Sequence, residues 1–187
     1  PRVLRRACRP QKMISAATDK LYLVGFMGSG KTSVARALGR ILNRCAIDLD
    51  EEITRLYSRT PGELITMPGE EAFRKIETNV LRQVLEQGAG LISLGGGAWT
   101  IPRNRRLLAA RNCLIIWLDV PFESCWRRIT ASGAHRPLAP DHQQAEALYT
   151  LRQSDYQLAA LRVEATDEME ATEVAQGMEK AIKSFLT

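Results

Sequence analysis

The sequence predicts a single α/β domain with a parallel β-sheet covered by helices on both faces. Short apolar runs alternate with longer amphipathic stretches along the chain, a pattern typical of strands and helices that alternate around a parallel sheet. Most of the apolar runs are nearly continuous, as expected for strands that are buried on both sides. With 187 residues, 45% of them hydrophobic, the chain is long enough for one substantial core.

Five apolar runs are the predicted strands. They are LYLV at 21–24, CAI at 45–47, GLISL at 90–94, CLIIWL at 113–118 and RVEA at 162–165. The intervals between them carry helix signals, so the sequence indicates a three-layer α/β/α arrangement with a five-stranded sheet.

Two of the predicted helices have clear start or stop signals. Thr60 and Glu63 form a capping box with Pro61 at the first helical position. Between Gly69 and Gln87 one apolar stripe recurs at helical spacing, and Gly88 is a stop signal. Further helices are predicted after Thr32, Ile101 and Pro121, and over residues 145–159 and 171–185.

The chain is predicted to consist of a tail and one domain. Residues 1–12 contain five basic residues and no acidic one, and we expect them to be a disordered basic tail. Residues 13–187 form the domain. Within it, residues 131–144 are rich in Gly, Pro and polar side chains without clear periodicity, which predicts a mobile lid.

Composition argues against several classes of function. The net charge of +5 comes from the tail, because the rest of the chain holds 21 basic and 21 acidic residues; a nucleic-acid partner is therefore not expected. No apolar run approaches the length of a membrane span, and the first residues lack the apolar block of a secretory signal. The four cysteines and two histidines have no metal-site spacing. These features favour a cytoplasmic protein with reduced thiols.

The strongest motif is a phosphate-binding loop, or P-loop, from Gly25 to Thr32. The sequence GFMGSGKT matches G-x-x-x-x-G-K-T, follows a predicted strand and opens a predicted helix. Its glycines let backbone N–H groups surround a phosphate at a helix N-terminus, where the dipole is positive. Lys31 is expected to bridge the β- and γ-phosphates of a nucleotide, and Thr32 to offer its hydroxyl to Mg²⁺.

Asp48 and Asp50 follow the second predicted strand. Open α/β sheets gather ligands at this edge, and an i, i+2 spacing in an extended chain places both carboxylates on one side. One acid suits a water-mediated contact to Mg²⁺ and the other a proton acceptor for a substrate hydroxyl. The alternative is that both simply begin a helix, whose first turn favours acidic residues.

Glycines and arginines complete the candidate site. Gly95, Gly96 and Gly97 follow the third strand, where the backbone can approach a ligand closely, although a strand-to-helix turn also uses glycine. Three arginines, Arg74, Arg136 and Arg152, can each be surface charges, and Arg74 can pair with Glu77 along its helix. Together they suit an acidic substrate beside a triphosphate, which needs several cations.

From about Leu21 onward the sequence resembles the shikimate kinase family. The shared segments, in order, are GSGKT, DLD, AFRKIE, SLGGGA, RPL and an arginine followed by a tyrosine. The resemblance implies a nucleoside-monophosphate-kinase-like fold with strand order 2-3-1-4-5. It also implies transfer of the ATP γ-phosphate to the 3-hydroxyl of shikimate, a step towards chorismate and the aromatic amino acids.

The resemblance assigns roles residue by residue. The implied catalytic residues are Lys31, Asp50 and Arg136. The implied ATP-binding residues are Gly28, Ser29, Gly30, Lys31, Thr32, Ser33, Arg128 and Arg136, with Arg128 stacked on adenine. The implied shikimate-binding residues are Asp50, Arg74, Gly95, Gly96, Gly97 and Arg152. Phe73 and Glu77 support them, and Thr32 and Asp48 hold Mg²⁺. The expected partners are ATP or ADP and shikimate, with neither nucleic acid nor a membrane, and the expected state is a monomer.

No Walker B aspartate follows the third strand, which ends Ser93-Leu94-Gly95; this is also usual in the shikimate kinase family and gives the metal role to Asp48. Two other segments depart from the family pattern. The lid reads Arg136-Pro137-Leu138-Ala139 without a second leucine, and the span to Arg152 is a few residues short. The segment ATDEMEATE after the last strand is acidic. A kinase for another polyol acid such as gluconate, a nucleotide-binding module without transfer activity, and a nucleic-acid-stimulated ATPase are the alternatives.

Overall fold

The structure is a computed structural model that describes residues 20–133 and 136–186. The basic tail predicted for residues 1–12 lies outside the described residues, as do Ala134 and His135 of the predicted lid. Within the described residues no helix is long and apolar enough to cross a membrane.

The described residues contain one five-stranded sheet, in which every strand pair is parallel. The strands are β1 (Leu21–Val24), β2 (Ala46–Asp48), β3 (Leu91–Ser93), β4 (Leu114–Asp119) and β5 (Leu161–Glu164). Their order is β2-β3-β1-β4-β5, so the order expected from the resemblance is confirmed. Because all strands run the same way, the loops after β1, β2 and β3 meet at one edge of the sheet.

Eight helices connect and flank the strands in the part of the chain that the structure describes. They are α1 (Lys31–Leu42), α2 (Leu49–Tyr57), α3 (Pro61–Thr66), α4 (Glu70–Glu86), α5 (Pro102–Ala109), α6 (Phe122–Ser132), α7 (His142–Tyr156) and α8 (Ala171–Leu186).

Local chemistry explains where several helices begin. Thr60 accepts a hydrogen bond from the Glu63 N–H, and the Glu63 side chain in turn accepts one from the Thr60 N–H, so the predicted capping box starts α3. Asp141 accepts from the Gln144 N–H and starts α7 at His142, three residues before the predicted start. The predicted lid therefore narrows to the segment between Ser132 and His142, since both its ends are helical.

The core lies on both faces of the central strands. All four residues of β1 are buried, as are the first five of β4. Helix α4 buries Phe73, Val80 and Val84 of the predicted stripe, whereas Ile76 is only partly buried. The outer strand β5 alternates between half-buried and exposed residues, because Leu161 and Val163 pack against the core whereas Arg162 and Glu164 are exposed.

Two of the cysteines match the expectation of reduced thiols, and a third does not. Cys113 and Cys125 are free, and Cys125 is buried. Burial raises the pKa of each of these thiols to about 11, which keeps them protonated and unreactive. Cys45, by contrast, is disulfide-bonded, so the expectation was wrong for this residue.

Candidate active site

A cavity of about 350 Å³ opens at the carboxyl ends of β1, β2 and β3. The P-loop, the start of α2, the glycine triplet and parts of α3, α4, α6 and α7 surround it. It is lined by Met27, Gly28, Gly30, Lys31, Thr32, Ser33, Asp48, Asp50, Pro61, Gly62, Ile65, Phe73, Arg74, Glu77, Ser93, Leu94, Gly95, Gly96, Gly97, Arg128, Arg136, Pro137, Leu138 and Arg152.

The P-loop has a backbone conformation that requires glycine. Gly28 and Gly30 have φ angles of 76° and 87°, which are left-handed values that other residues rarely adopt. A Cβ atom on Gly28 would lie 2.5 Å from the Cys125 carbonyl oxygen. Gly30 is the N-cap of α1 and receives no side-chain cap, so the first N–H groups of the helix are directed at the cavity and available to an anion.

Lys31 is the buried cation of the loop. Its Nζ donates hydrogen bonds to the Phe26 carbonyl oxygen at 2.7 Å and to Ser29 Oγ at 3.3 Å, so the ammonium is held within the loop. Burial lowers its pKa to about 8, against the opposing effect of Asp50. The side chain therefore still carries a proton in most molecules at neutral pH.

Thr32 and Asp48 form an oxygen-rich corner beside Lys31. Thr32 Oγ1 donates to Asp48 Oδ2 at 2.5 Å. Asp48 Oδ1 also accepts from the N–H groups of Asp50 and Glu51, so Asp48 caps α2. A hydroxyl next to a fixed carboxylate suits Mg²⁺, which takes oxygen ligands and completes its shell with water and phosphates.

Residues 20–133 and 136–186 contain no cluster of three or more His, Cys, Asp or Glu side chains that could hold a metal. A metal at the Thr32–Asp48 corner would therefore depend on a bound nucleotide for further ligands.

Asp50 is a carboxylate with a raised pKa. It lies in the first turn of α2, not in an extended segment. Burial and the nearby Asp48 raise its pKa to about 6, whereas Lys31, Arg136 and Arg74 act in the opposite direction. The group is ionised at neutral pH yet close enough to titration to accept a proton.

The glycine triplet brings the charged side chains together. A Cβ on Gly95 would lie 2.6 Å from Asp50 Oδ1, and a Cβ on Gly97 would lie 2.6 Å from both terminal nitrogens of Arg74. A Cβ on Gly96 would lie 3.4 Å from Nη1 of Arg152. Each glycine therefore leaves room for a different charged group that lines the cavity.

Arg74 points into the cavity and is held from its own helix. Its guanidinium donates to Glu77 Oε2 at 2.9 Å and to Glu70 Oε1 at 3.0 Å, and it lies 5.2 Å from the centre of the Phe73 ring. Glu77 is 1% exposed. Burial raises its pKa to about 7, although Arg74 and Arg152 oppose the shift.

Arg152 reaches the same cavity from α7. It is 6% exposed, and it lies close enough to Glu77 to lower the pKa of that carboxyl. Because the pKa of Glu77 is about 7, this carboxyl balances the positive charge of Arg152 only in part. The buried guanidinium therefore favours an anionic ligand.

Arg136 and Arg128 are two further arginines that line the cavity. The charge of Arg136 acts on both Asp50 and Lys31. Among the described residues, its Nε is one of two buried side-chain polar atoms that lack a hydrogen-bond partner. Arg128 lies over the P-loop, with Nη1 at 3.4 Å from the Ser29 carbonyl oxygen, and it pairs with Asp167 at 3.3 Å.

Comparison with known proteins identifies the family. The family model described as "Shikimate kinase" matches residues 27–183. A shikimate kinase from Synechococcus sp. (strain RCC307) is 38% identical over 151 residues, which cover 79% of this chain and 76% of that protein.

The chain belongs to the shikimate kinase family. The solved structure of an Acinetobacter baumannii shikimate kinase in complex with shikimate is 33% identical, with a TM-score of 0.82 over 89% of this chain and 93% of that one. A gluconokinase from Sinorhizobium meliloti 1021 is 14% identical, with a TM-score of 0.62 over 90% and 97% of the two chains. The second likeness shows the shared fold alone.

Members of the shikimate kinase family are ATP-dependent kinases that act on an alcohol group. The residues predicted from the sequence for such a site lie around one cavity. The cavity is lined by every residue that the sequence analysis assigned to it except Ser29. Ser29 is 2% exposed and accepts from Lys31, so it shapes the loop from within.

Some lining residues were not foreseen for this shikimate kinase site. Pro61, Gly62 and Ile65 bring α3 to the cavity, and Pro137 and Leu138 close it from the lid segment. The capping box located α3, but nothing in the sequence indicated which face of this short helix meets the site. Pro137 and Leu138 belong to the RPL segment that carries the family resemblance, but only Arg136 of that segment was assigned a role.

Gly97→Ala should raise the KM of this shikimate kinase for its acceptor by about tenfold or more, because a new methyl group displaces the Arg74 guanidinium and small misplacements are costly. KM for ATP should change little, since the P-loop is untouched.

Gly177→Ala is the matched control. Gly177 lies in α8 with open space around it, so activity should be unchanged and stability equal or higher. A Gly97→Ala enzyme with wild-type acceptor KM contradicts the assignment.

Proposed function

We propose that this protein transfers the γ-phosphate of ATP to the 3-hydroxyl of shikimate, giving shikimate 3-phosphate and ADP. The observation that carries the proposal is the contact of one glycine triplet with Asp50, Arg74 and Arg152 at once. A proton acceptor and two cations from different helices then face the same space as Lys31 of the P-loop. That arrangement suits an acceptor with both a reactive hydroxyl and a carboxylate.

The nucleotide phosphates occupy the P-loop in this proposal. The first N–H groups of α1 and the backbone from Gly28 to Ser33 surround the β-phosphate, and Lys31 neutralises the β- and γ-oxygens. Arg128, over the loop, lies beside the base. Its pairing with Asp167 of the acidic segment after β5 fixes its guanidinium plane, which suits stacking on adenine.

Thr32 and Asp48 hold Mg²⁺ together with the phosphates. When bound, the metal neutralises charge on the β- and γ-phosphates. The hydrogen bond between Thr32 and Asp48 already places the two oxygen ligands side by side. Asp48 takes the metal role that a Walker B aspartate would have, because β3 ends at Ser93 and no aspartate follows it.

The acceptor is held by its carboxylate and its ring hydroxyls. Arg74 and Arg152 bind the carboxylate, and Gly95, Gly96 and Gly97 allow the hydroxyls to approach the backbone. Phe73 and Glu77 fix the orientation of Arg74. Two cations from separate helices fit a carboxylate better than a neutral sugar, because charged hydrogen bonds are the strong ones.

The chemical step exchanges one P–O bond for another. The acceptor oxygen bonds to the γ-phosphorus, the bond to the bridging oxygen of ADP breaks, and the acceptor proton passes to the Asp50 carboxylate. Arg136 stabilises charge on the transferring group; its Nε without a partner in the described structure and its closeness to Lys31 support this role. A lid that carries Arg136 also excludes water from the step.

A coupled assay of ADP release tests the proposed function. With ATP and Mg²⁺, ADP formation should depend on shikimate and stop when Mg²⁺ is chelated. Gluconate and other hydroxy acids should be turned over far more slowly, even though a gluconokinase shares the fold. Equal turnover of gluconate and shikimate contradicts the acceptor assignment, and ATP binding without shikimate-dependent ADP release indicates a module without transfer activity. The expected cytoplasmic location and monomeric state remain predictions.

A further inference from the structure

The two arginines that face the acceptor belong to different helices. Arg74 lies on α4 and Arg152 on α7, and the glycine triplet lies between them. A carboxylate can engage both only if the two helices keep a fixed separation. The residues that fix it need not line the cavity.

Helix α5 is attached to α4 by a buried amide. Asn104 is completely buried; its Oδ1 accepts from Thr78 Oγ1 at 2.8 Å, and its Nδ2 donates to the Ala98 carbonyl oxygen at 2.9 Å. Thr78 is one helical turn after Arg74. This amide therefore connects the helix that carries Arg74 to the loop after the glycine triplet.

The next residue of α5 makes the corresponding attachment to α7. Arg105 Nη1 donates to Asp155 Oδ1 at 2.7 Å and to the carbonyl oxygens of Trp99 and Thr100 at 3.1 and 3.0 Å. The Trp99 indole N–H donates to the Asp155 carbonyl oxygen at 2.7 Å. Asp155 is three residues after Arg152, so these bonds fix the turn of α7 that carries Arg152.

Tyr156 adds a third bond at the same place. It is completely buried, its hydroxyl donates to the Gly96 carbonyl oxygen at 2.6 Å, and its ring stacks on Trp117 of β4. The end of α7 is thus attached both to the glycine triplet and to α5. Neither Asn104 nor Arg105 is among the described residues that line the cavity.

We propose that Arg105 and Asp155 are positioning residues that hold Arg152 at the correct distance from Arg74. The inference rests on the proposed function, because it takes the two arginines to bind the acceptor carboxylate. Asn104 anchors α5 to α4, and the half-buried Arg105–Asp155 ion pair extends that anchor to α7. The ion pair determines how well the acceptor is bound and has no contact with the nucleotide.

Steady-state kinetics of Arg105→Gln and Asp155→Asn test the proposal, with Arg106→Gln as the matched control. Arg106 is the exposed neighbour on α5, so its replacement removes the same charge from the same helix. Each of the two test variants should raise KM for shikimate on the order of tenfold. KM for ATP should stay within about twofold of wild type, and the control should match wild type in both constants.

Two further measurements separate positioning from general loss of stability. The double variant Arg105→Gln/Asp155→Asn should be no worse than Arg105→Gln alone, because Arg105→Gln already removes the contact with Asp155. Arg105→Lys should recover part of the lost affinity. An unchanged KM for shikimate, a parallel rise in KM for ATP, or a lower melting temperature with normal kinetics overturns the proposal. A wild-type enzyme that does not phosphorylate shikimate overturns the proposed function, which is a different result.

Discussion

Lys31→Ala should reduce phosphoryl transfer by at least about 100-fold, the range found when one preorganised donor to a developing charge is removed. The Lys31 ammonium is the buried cation that the P-loop directs at the phosphates, held by the Phe26 carbonyl and Ser29 Oγ. In the proposed function its loss removes a cation that neutralises the β- and γ-phosphates. The measurement is kcat from the coupled ADP assay at saturating ATP and shikimate.

The melting temperature of Lys31→Ala should not fall. Burial of the ammonium disfavours its charged form, as the lowered pKa of about 8 indicates, so removing it relieves a desolvation cost. Lys20→Ala is the matched control, because Lys20 precedes β1 at the opposite end of the strand and donates to the Arg111 carbonyl. A fully active Lys31→Ala enzyme contradicts the P-loop assignment.

Arg152→Ala should weaken shikimate binding by about 2 to 5 kcal/mol, the usual loss when one partner of a buried charge pair is removed. The Arg152 guanidinium is 6% exposed, so little water screens its attraction for a carboxylate. ATP affinity should be nearly unchanged, because the P-loop keeps all its groups. Equilibrium titrations with each ligand give the two affinities separately.

Arg55→Ala serves as the control for the loss of one arginine. Arg55 lies on α2, pairs with Glu52 and is largely exposed, so its removal should leave both affinities at wild-type values. In Arg152→Ala, the Glu77 carboxyl loses a cation that lowers its pKa. Glu77 should then be protonated in more molecules at neutral pH, which limits the cost to the fold. An unchanged shikimate affinity removes Arg152 from the acceptor site.

The strands could be predicted because burial leaves a direct trace in the sequence. LYLV at 21–24 coincides with β1, and each of the other four strands differs from its predicted bounds by one residue at both ends. Strand ends are less certain because the last residue of a run can pair in the sheet or begin a turn. Asp48 shows this: it ends β2 and also caps α2.

The two carboxylates of the candidate site lie in a different backbone conformation from the one predicted. Asp48 and Asp50 were expected to share one side of an extended segment. In the structure Asp50 belongs to the first turn of α2. The alternative expectation, that the two acids begin a helix, therefore describes the local backbone. Both carboxylates still line the cavity, because the helix begins at the sheet edge. The ion pair expected along α4 also exists, and Arg74 faces the cavity nonetheless.

Residue spacing and local burial were sufficient to locate the P-loop, the alternation of strands and helices, and the residue types available for phosphate, metal and carboxylate. Those features are local, since they depend on spacing along the chain and on burial averaged over a few residues. Only the tertiary structure decided that Asp50, Arg74 and Arg152 meet around Gly95, Gly96 and Gly97, and that α5 connects the two helices that carry the arginines. Such contacts join residues far apart in the chain, and their distances depend on how helices pack on the sheet.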